Sequence, residues 1–211
     1  MKKQIQQHAM YSLLAILLSM ICLSKGFAES LQQPQQVIQN VSDTLQKKLQ
    51  DKTFSQDFPQ VVLFVKNVID PHTDFNKIAP MVLGKYWNTA TPDEQTRFKQ
   101  EFQTLLTRVY ARAFVEYNDW TIRYLPVVTA GDATKVIVKT SVLQPSIQPI
   151  EVNYRMLLDN GEWKVYDILI DGVSLVTNYR STFSNEIQNK GSLTAVNDDL
   201  AKRNADALST K

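Results

Sequence analysis

The chain changes period once. From Pro34 to Tyr117 apolar residues recur every three or four positions, and from Trp120 to Leu169 they alternate with mostly polar ones. The first spacing is that of a helix with one buried face and the second that of a half-buried strand. Val37, Ile38, Val41, Leu45 and Leu49 predict an amphipathic helix over 34–51. A second apolar stretch, Val61 to Ile69, stops at Asp70-Pro71, since the residue before a proline disfavours helix. Asp74 caps a third segment, Phe75 to Leu83, which Gly84 ends in a left-handed position despite the internal Pro80. Thr91-Pro92-Asp93-Glu94 is a capping box with proline at the first helical position. Behind it Phe98, Phe102, Leu105, Leu106, Val109, Tyr110, Ala113, Phe114 and Tyr117 lay an apolar stripe over more than five turns.

Four strands follow. Trp120, Ile122 and Tyr124 alternate, as do Val136, Val138, Thr140 and Val142, and then Ile150, Val152, Tyr154, Met156 and Leu158. Asn160-Gly161 is a strong two-residue hairpin signal. With those residues as the turn, Leu158 faces Trp163, Met156 faces Val165, Tyr154 faces Asp167 and Val152 faces Leu169, and a one-residue change would invert these facings. The last strand ends near Asp171-Gly172, a helix spans Leu175 to Gln188, and Gly191 opens a polar tail. Helices first and an antiparallel sheet afterwards make an α+β domain, its helices gathered on one face of the sheet.

Composition changes this picture at the N-terminus. Lys2 and Lys3, an apolar run from about Tyr11 to Leu23 and the small residues around Gly26-Phe27-Ala28 form a secretory signal, with cleavage expected after Ala28. Cys22, the one cysteine, falls in that segment. Losing Lys2, Lys3 and Lys25 from 23 basic residues against 21 acidic ones takes the formal charge from +2 to −1, so no basic nucleic-acid footprint remains. The exported chain from 29 to 211 is then a single cysteine-free domain that must rely on its core, as bacterial periplasmic proteins often do.

Candidate chemistry is sparse. His72 is the one histidine beyond the signal segment, so common zinc sites and Ser-His or Cys-His pairs cannot be completed within this chain. Gly172-Val173-Ser174-Leu175-Val176 begins like a nucleophile elbow, but Val176 stands where a second glycine belongs. Asn40-Val41-Ser42 matches a glycosylation sequon inside the first helix. Asp167 carries two readings. On an apolar face opposite Tyr154 it could serve as the general base of an enzyme acting on an apolar substrate, or it could be a buried carboxylate satisfied by hydrogen bonds. The excess of large apolar side chains is the stronger signal. It fits either a solid core or a cavity for an apolar ligand.

Val82-Leu83-Gly84-Lys85-Tyr86-Trp87-Asn88-Thr89-Ala90-Thr91-Pro92, then Gly161-x-Trp163-Lys164-Val165-Tyr166-Asp167-Ile168, and then Asp171-Gly172-Val173-Ser174-Leu175-Val176-x-Asn178-Tyr179-Arg180-x-x-Phe183 carry a resemblance. They resemble the MlaC family, also called the toluene-tolerance Ttg2D family. That resemblance implies an NTF2-like cone in which N-terminal helices cover one face of a curved antiparallel sheet and enclose an apolar cavity. It implies a monomeric periplasmic carrier with phospholipid as cargo and no cofactor. Its partners would be an outer-membrane lipoprotein-porin complex and the inner-membrane Mla ABC transporter with its MCE-domain subunit.

On that reading the helices supply Leu83, Trp87, Phe102, Leu106, Tyr110 and Phe114 to the cavity, and the strands supply Val138, Val152, Tyr154, Met156 and Val165. The segment after Gly172 adds Val173, Leu175, Val176, Tyr179 and Phe183. Arg180 sits toward the rim, either on a lipid phosphate or paired with an aspartate such as Asp167 or Asp171.

Overall fold

The computed structural model describes residues 32–117, 119–127, 133–145 and 147–209, and the segment 1–28 expected as a secretory signal lies outside them. Helix α1 (Gln33–Leu49) leads, followed by a single turn α2 (Lys52–Ser55) and by α3 (Phe58–Ile69). Asp51 accepts from the amides of Thr53 and Phe54 at the start of α2, and Asp57 accepts from that of Gln60 at the start of α3. At the start of α4 (Phe75–Leu83) Asp74 accepts from the Lys77 amide. These bonds satisfy donors that the first helical turn leaves open.

Gly84 ends α4 at φ 55 and ψ −122, a positive φ as the sequence suggests but outside the left-handed helical well. A 3-10 stretch over Gly84–Thr89 then leads to α5 (Pro92–Glu116). The α5 capping box is present, with the Glu94 amide on Thr91 Oγ1 and the Thr91 amide on Glu94 Oε2.

Strands β1 (Thr121–Tyr124), β2 (Lys135–Leu143), β3 (Ile150–Asp159), β4 (Glu162–Ile170) and β5 (Val173–Ser174) form one antiparallel sheet in chain order. Asn160 and Gly161 both take positive φ, as the two-residue turn requires. The expected pairs Leu158 with Trp163 and Met156 with Val165 form. The register then slips by one residue, so Tyr154 faces Ile168 and Val152 faces Ile170, in place of Asp167 and Leu169. A β-bulge causes the slip: Tyr166 is extra on β4, and every residue beyond it changes face. Next to the bulge, the Val165 carbonyl accepts from the Asp74 amide at 2.9 Å, which ties the sheet to the start of α4.

Beyond the sheet, α6 (Leu175–Lys190) begins at Ser174 and stops at Gly191, which has φ 80. The segment expected as a polar tail is instead α7 (Leu193–Ser209), with Leu193, Val196 and Leu200 buried. Its buried asparagines reach α5, Asn197 donating to the Glu94 carbonyl and Asn204 to that of Glu101. Arg97 to Asp198 closes the same interface outside.

The apolar interior divides among three clusters, where a domain of this size usually holds one continuous core. In the first, α4, the first half of α5, α6 and α7 interlock. Phe98 and Phe102 stack at 5.5 Å, and Phe183 meets both rings edge-on at 5.0 and 5.6 Å. The second joins α1 and α3 to Ala111 and Trp120, with Ile122 and Val142 of the sheet packed against it. The third sets Ile38 of α1 on Val136, Val138, Met156 and Val165.

Candidate functional site

Val152 and Tyr154 of β3, Tyr110 of α5 and Leu175 at the start of α6 are half-buried. Tyr110, Val152 and Leu175 belong to none of the three clusters. Tyr154 retains accessible surface, yet burial pushes its phenol up to about 12. Its ring is therefore only partly covered while its hydroxyl is surrounded by protein.

Other phenols fit the same description. Burial pushes up Tyr110 first of all, with a small further push from Tyr179; it pushes up Tyr124, with help from Tyr154 and Asp43; and it raises Tyr179 against the opposing pull of Arg108. The Tyr124 hydroxyl is buried with no hydrogen-bond partner among the described residues. Buried hydroxyls are normally satisfied, and leaving one unmet costs about 1–3 kcal/mol.

The remaining sequence-derived positions sort by burial. Leu83, Phe102, Val176 and Phe183 are sealed in the first cluster, with Trp87, Leu106 and Tyr179 half-buried against it. Val138, Met156 and Val165 are buried in the third cluster, and Phe114 packs on the second. Val138 and Met156 have no accessible surface, so they hold the wall and do not touch its open side. Val173 is 59% exposed on the edge strand β5 and does not face inward. Its facing follows from the turn at Asp171 and Gly172, both at positive φ, which sends the chain outward before α6 begins.

Arg180 pairs with neither Asp167 nor Asp171. Its Nε donates to the Met81 carbonyl at 2.6 Å, and its side chain runs over Gly84, where an added Cβ would lie 3.6 Å from Arg180 Cδ. It is a clasp between α6 and the end of α4.

Asp167 corrects the sequence expectation most sharply. The bulge turns it away from Tyr154, and it is only 3% exposed. Arg155 Nη1 donates to its Oδ2 at 2.9 Å, Ser174 Oγ donates to the same oxygen at 2.8 Å, and the Val176 amide donates to Oδ1. Both oxygens are engaged, one of them at the first turn of α6. The general-base reading has no geometric support. The other carboxylate at this corner, Asp171, accepts from the Glu151 amide and pins the turn to β3.

Sequence reasoning passed over one feature. Along the second half of α5 a groove of about 240 Å³ is lined by Arg108, Val109, Arg112, Ala113, Glu116 and Tyr117, with Phe58 and Ala207 opposite. Val109 and Tyr117 are 39% and 49% exposed. Arginines four residues apart on an apolar stripe were the available signal.

Comparison with known proteins gives this arrangement a family. The model of the family described as "MlaC protein" matches residues 36–202. A Pseudomonas putida protein named toluene tolerance protein ttg2D is 27% identical over 128 residues, covering 60% of this chain and 59% of that protein. The intermembrane phospholipid transport system binding protein MlaC of Haemophilus influenzae is 26% identical over 148 residues, covering 68% and 69%. A solved phospholipid-binding protein from Ralstonia solanacearum, in complex with a phospholipid, superposes with a TM-score of 0.75 and 29% identity. That match covers 83% of this chain and 99% of the other. The chain belongs to the MlaC family.

Proposed function

We propose that this protein is a periplasmic phospholipid carrier. The observation that carries the reading is the break in the core, which divides into three apolar clusters and leaves half-buried side chains such as Tyr110, Val152 and Leu175 outside all of them. Leu106, Tyr154 and Tyr179 extend the same surface. The structural likeness to a protein solved with phospholipid bound supports it.

The physics of the cargo sets the requirement. At about 0.8 kcal/mol per methylene, roughly thirty chain carbons would cost over ~20 kcal/mol to leave in water, so a carrier must enclose most of both tails. Transfer between two membranes then needs affinity and an exit, with no bond made or broken. In this reading the protein receives lipid from, and hands it to, an outer-membrane lipoprotein-porin complex and an inner-membrane Mla ABC transporter through its MCE-domain subunit. It works as a monomer, after removal of residues 1–28. Such traffic maintains the lipid asymmetry of the outer membrane.

Native mass spectrometry of protein purified from a Gram-negative periplasm tests the proposal. A mass increment of one or more phospholipids, recovered as glycerolipid by organic extraction, is expected. Protein that carries no glycerolipid, and takes none up from vesicles, would refute it.

A further inference from the structure

Among the described arginines, Arg97, Arg155 and Arg203 each pair with a carboxylate, and Arg180 is held by a backbone carbonyl. Arg108, Arg112 and Arg123 do neither, and the first two line the groove beside α5. Arg108 is half-buried. Its Nε donates to Asn204 Oδ1 at 2.8 Å, and Asn204 is itself fixed by donating to the Glu101 carbonyl at 2.9 Å and to Glu101 Oε2 at 2.7 Å. That arrangement orients the guanidinium and leaves its terminal amino groups uncommitted. Arg112 lies over the Phe58 ring at 4.6 Å, one turn further along.

The charges around this pair do not explain it. Arg112 and Arg203 both lie within electrostatic reach of Arg108, so the half-buried cation has like charges for neighbours. Like charges four residues apart destabilise a helix, and a partly buried charge without a counter-ion is costly. Glu116, the acid lining the groove, is engaged by the Tyr117 phenol. Against two guanidinium groups the groove lining sets that single carboxylate, so it keeps a net positive charge.

Position then selects the anion. Val109, Ala113 and Tyr117 are the neighbours, at helical spacing, of Leu106, Tyr110 and Phe114, so the groove lies one row round α5 from the half-buried residues that the carrier reading assigns to the lipid tails. Tyr179 links the two, lying within reach of both Arg108 and Tyr110.

We infer that Arg108 and Arg112 bind a phosphate oxyanion, and that it is the phosphodiester of the same lipid whose tails occupy the interior. Guanidinium suits this task because its planar fork matches phosphate oxygens. The inference rests on the carrier reading, and it moves the headgroup contact from Arg180 to α5.

The test uses the full mature chain stripped of lipid, titrated with dioleoylphosphatidylglycerol and, separately, with dioleoylglycerol, which has the same tails and no phosphate. The wild type is expected to prefer the phospholipid by about tenfold or more, the size of a charged hydrogen bond. Arg108→Gln/Arg112→Gln should bring that preference close to unity while leaving dioleoylglycerol affinity unchanged. If the double variant does not fold, Arg112→Gln alone, an exposed position, should lose several-fold. A wild type without preference, or a folded variant that keeps it, overturns the inference and leaves the carrier reading standing. A protein that binds neither lipid removes the carrier reading first.

Inorganic phosphate separates the two sources of the anion. Arginine side-chain resonances that respond to phosphate in stripped protein, and fall silent once dioleoylphosphatidylglycerol is loaded, support the lipid assignment. An equal response in loaded protein assigns the groove to a free anion and overturns it.

Discussion

The two halves of α5 are built from similar residues and meet different fates. In the first half Phe98 and Phe102 lose nearly all their surface to each other, to Phe183 and to Tyr179, with ring centroids 5.0–5.6 Å apart. Toward the C-terminal end Tyr110 and Phe114 stay half-buried, and Val109 and Tyr117 reach solvent. The difference lies in what faces them. The first half is sealed by α4, α6 and α7, while the second half packs on α1, α3 and Trp120 and meets α7 only along its groove side, at Asn204 and Ala207. One stripe of apolar residues therefore serves as glue at one end and as lining at the other. Periodicity alone cannot distinguish these, because both uses require the same spacing.

Substitution can sharpen the contrast. Phe98→Ala should cost about 3–5 kcal/mol in urea unfolding, the range for truncating a sealed aromatic. A loss below about 1 kcal/mol would mean that the ring cluster is not the structural half. Leu200→Ala, on the helix that braces that half, should cost about 2–5 kcal/mol. A thermal transition unchanged by this substitution would make α7 dispensable.

The phenols of the lining half give a pH test. The folded Tyr154 phenol is held up to about 12 against an ordinary value of 10, so the folded state retains that proton more tightly than the unfolded chain. Its contribution is complete below about pH 10 and is lost as pH climbs toward 12. Unfolding midpoints measured across that window should fall less steeply in Tyr154→Phe than in wild type. Arg180→Ala should cost about 0.5–1.5 kcal/mol, one hydrogen bond to Met81, and leave lipid occupancy alone. Lower occupancy at an unchanged melting temperature would return it to the headgroup. The smallest effect belongs to Tyr124→Phe, which removes an unmet hydroxyl and should be neutral or slightly stabilising. A loss of more than about 1 kcal/mol would reveal a partner for that oxygen.

Most of the fold was legible because its signals are local. The Thr91 capping box, the Asp74 start, the Asn160-Gly161 turn and the change of period at Trp120 each act over a few residues, and each is found. Helix α7 was hidden for a physical reason. Asn197 and Asn204 stand on its buried face and dilute the stripe of Leu193, Val196 and Leu200, and their burial makes sense only once the α5 carbonyls are in place to receive them. The burial of the candidate site was less legible. Tyr110, Tyr154 and Phe102 carry the same apolar pattern in the sequence, and only the third dimension shows which of them has an open side. Arg108 and Arg112 resemble an ordinary solvated helix face until the absence of carboxylate partners among the described residues becomes visible.

The extra residue at Tyr166 decides which atoms an incoming hydrocarbon would meet. Were Tyr166 paired with Arg155 in regular register, β4 would present Asp167 and Leu169 to the interior and turn Ile168 and Ile170 outward. A single unpaired position thus acts as a parity switch, steering a carboxylate to the back of the sheet, where it anchors a helix, and setting Ile168 and Ile170 on the oily side. Deleting Tyr166 would keep these facings in a straight strand, whereas drawing it into the ladder would bring Asp167 round to the greasy wall.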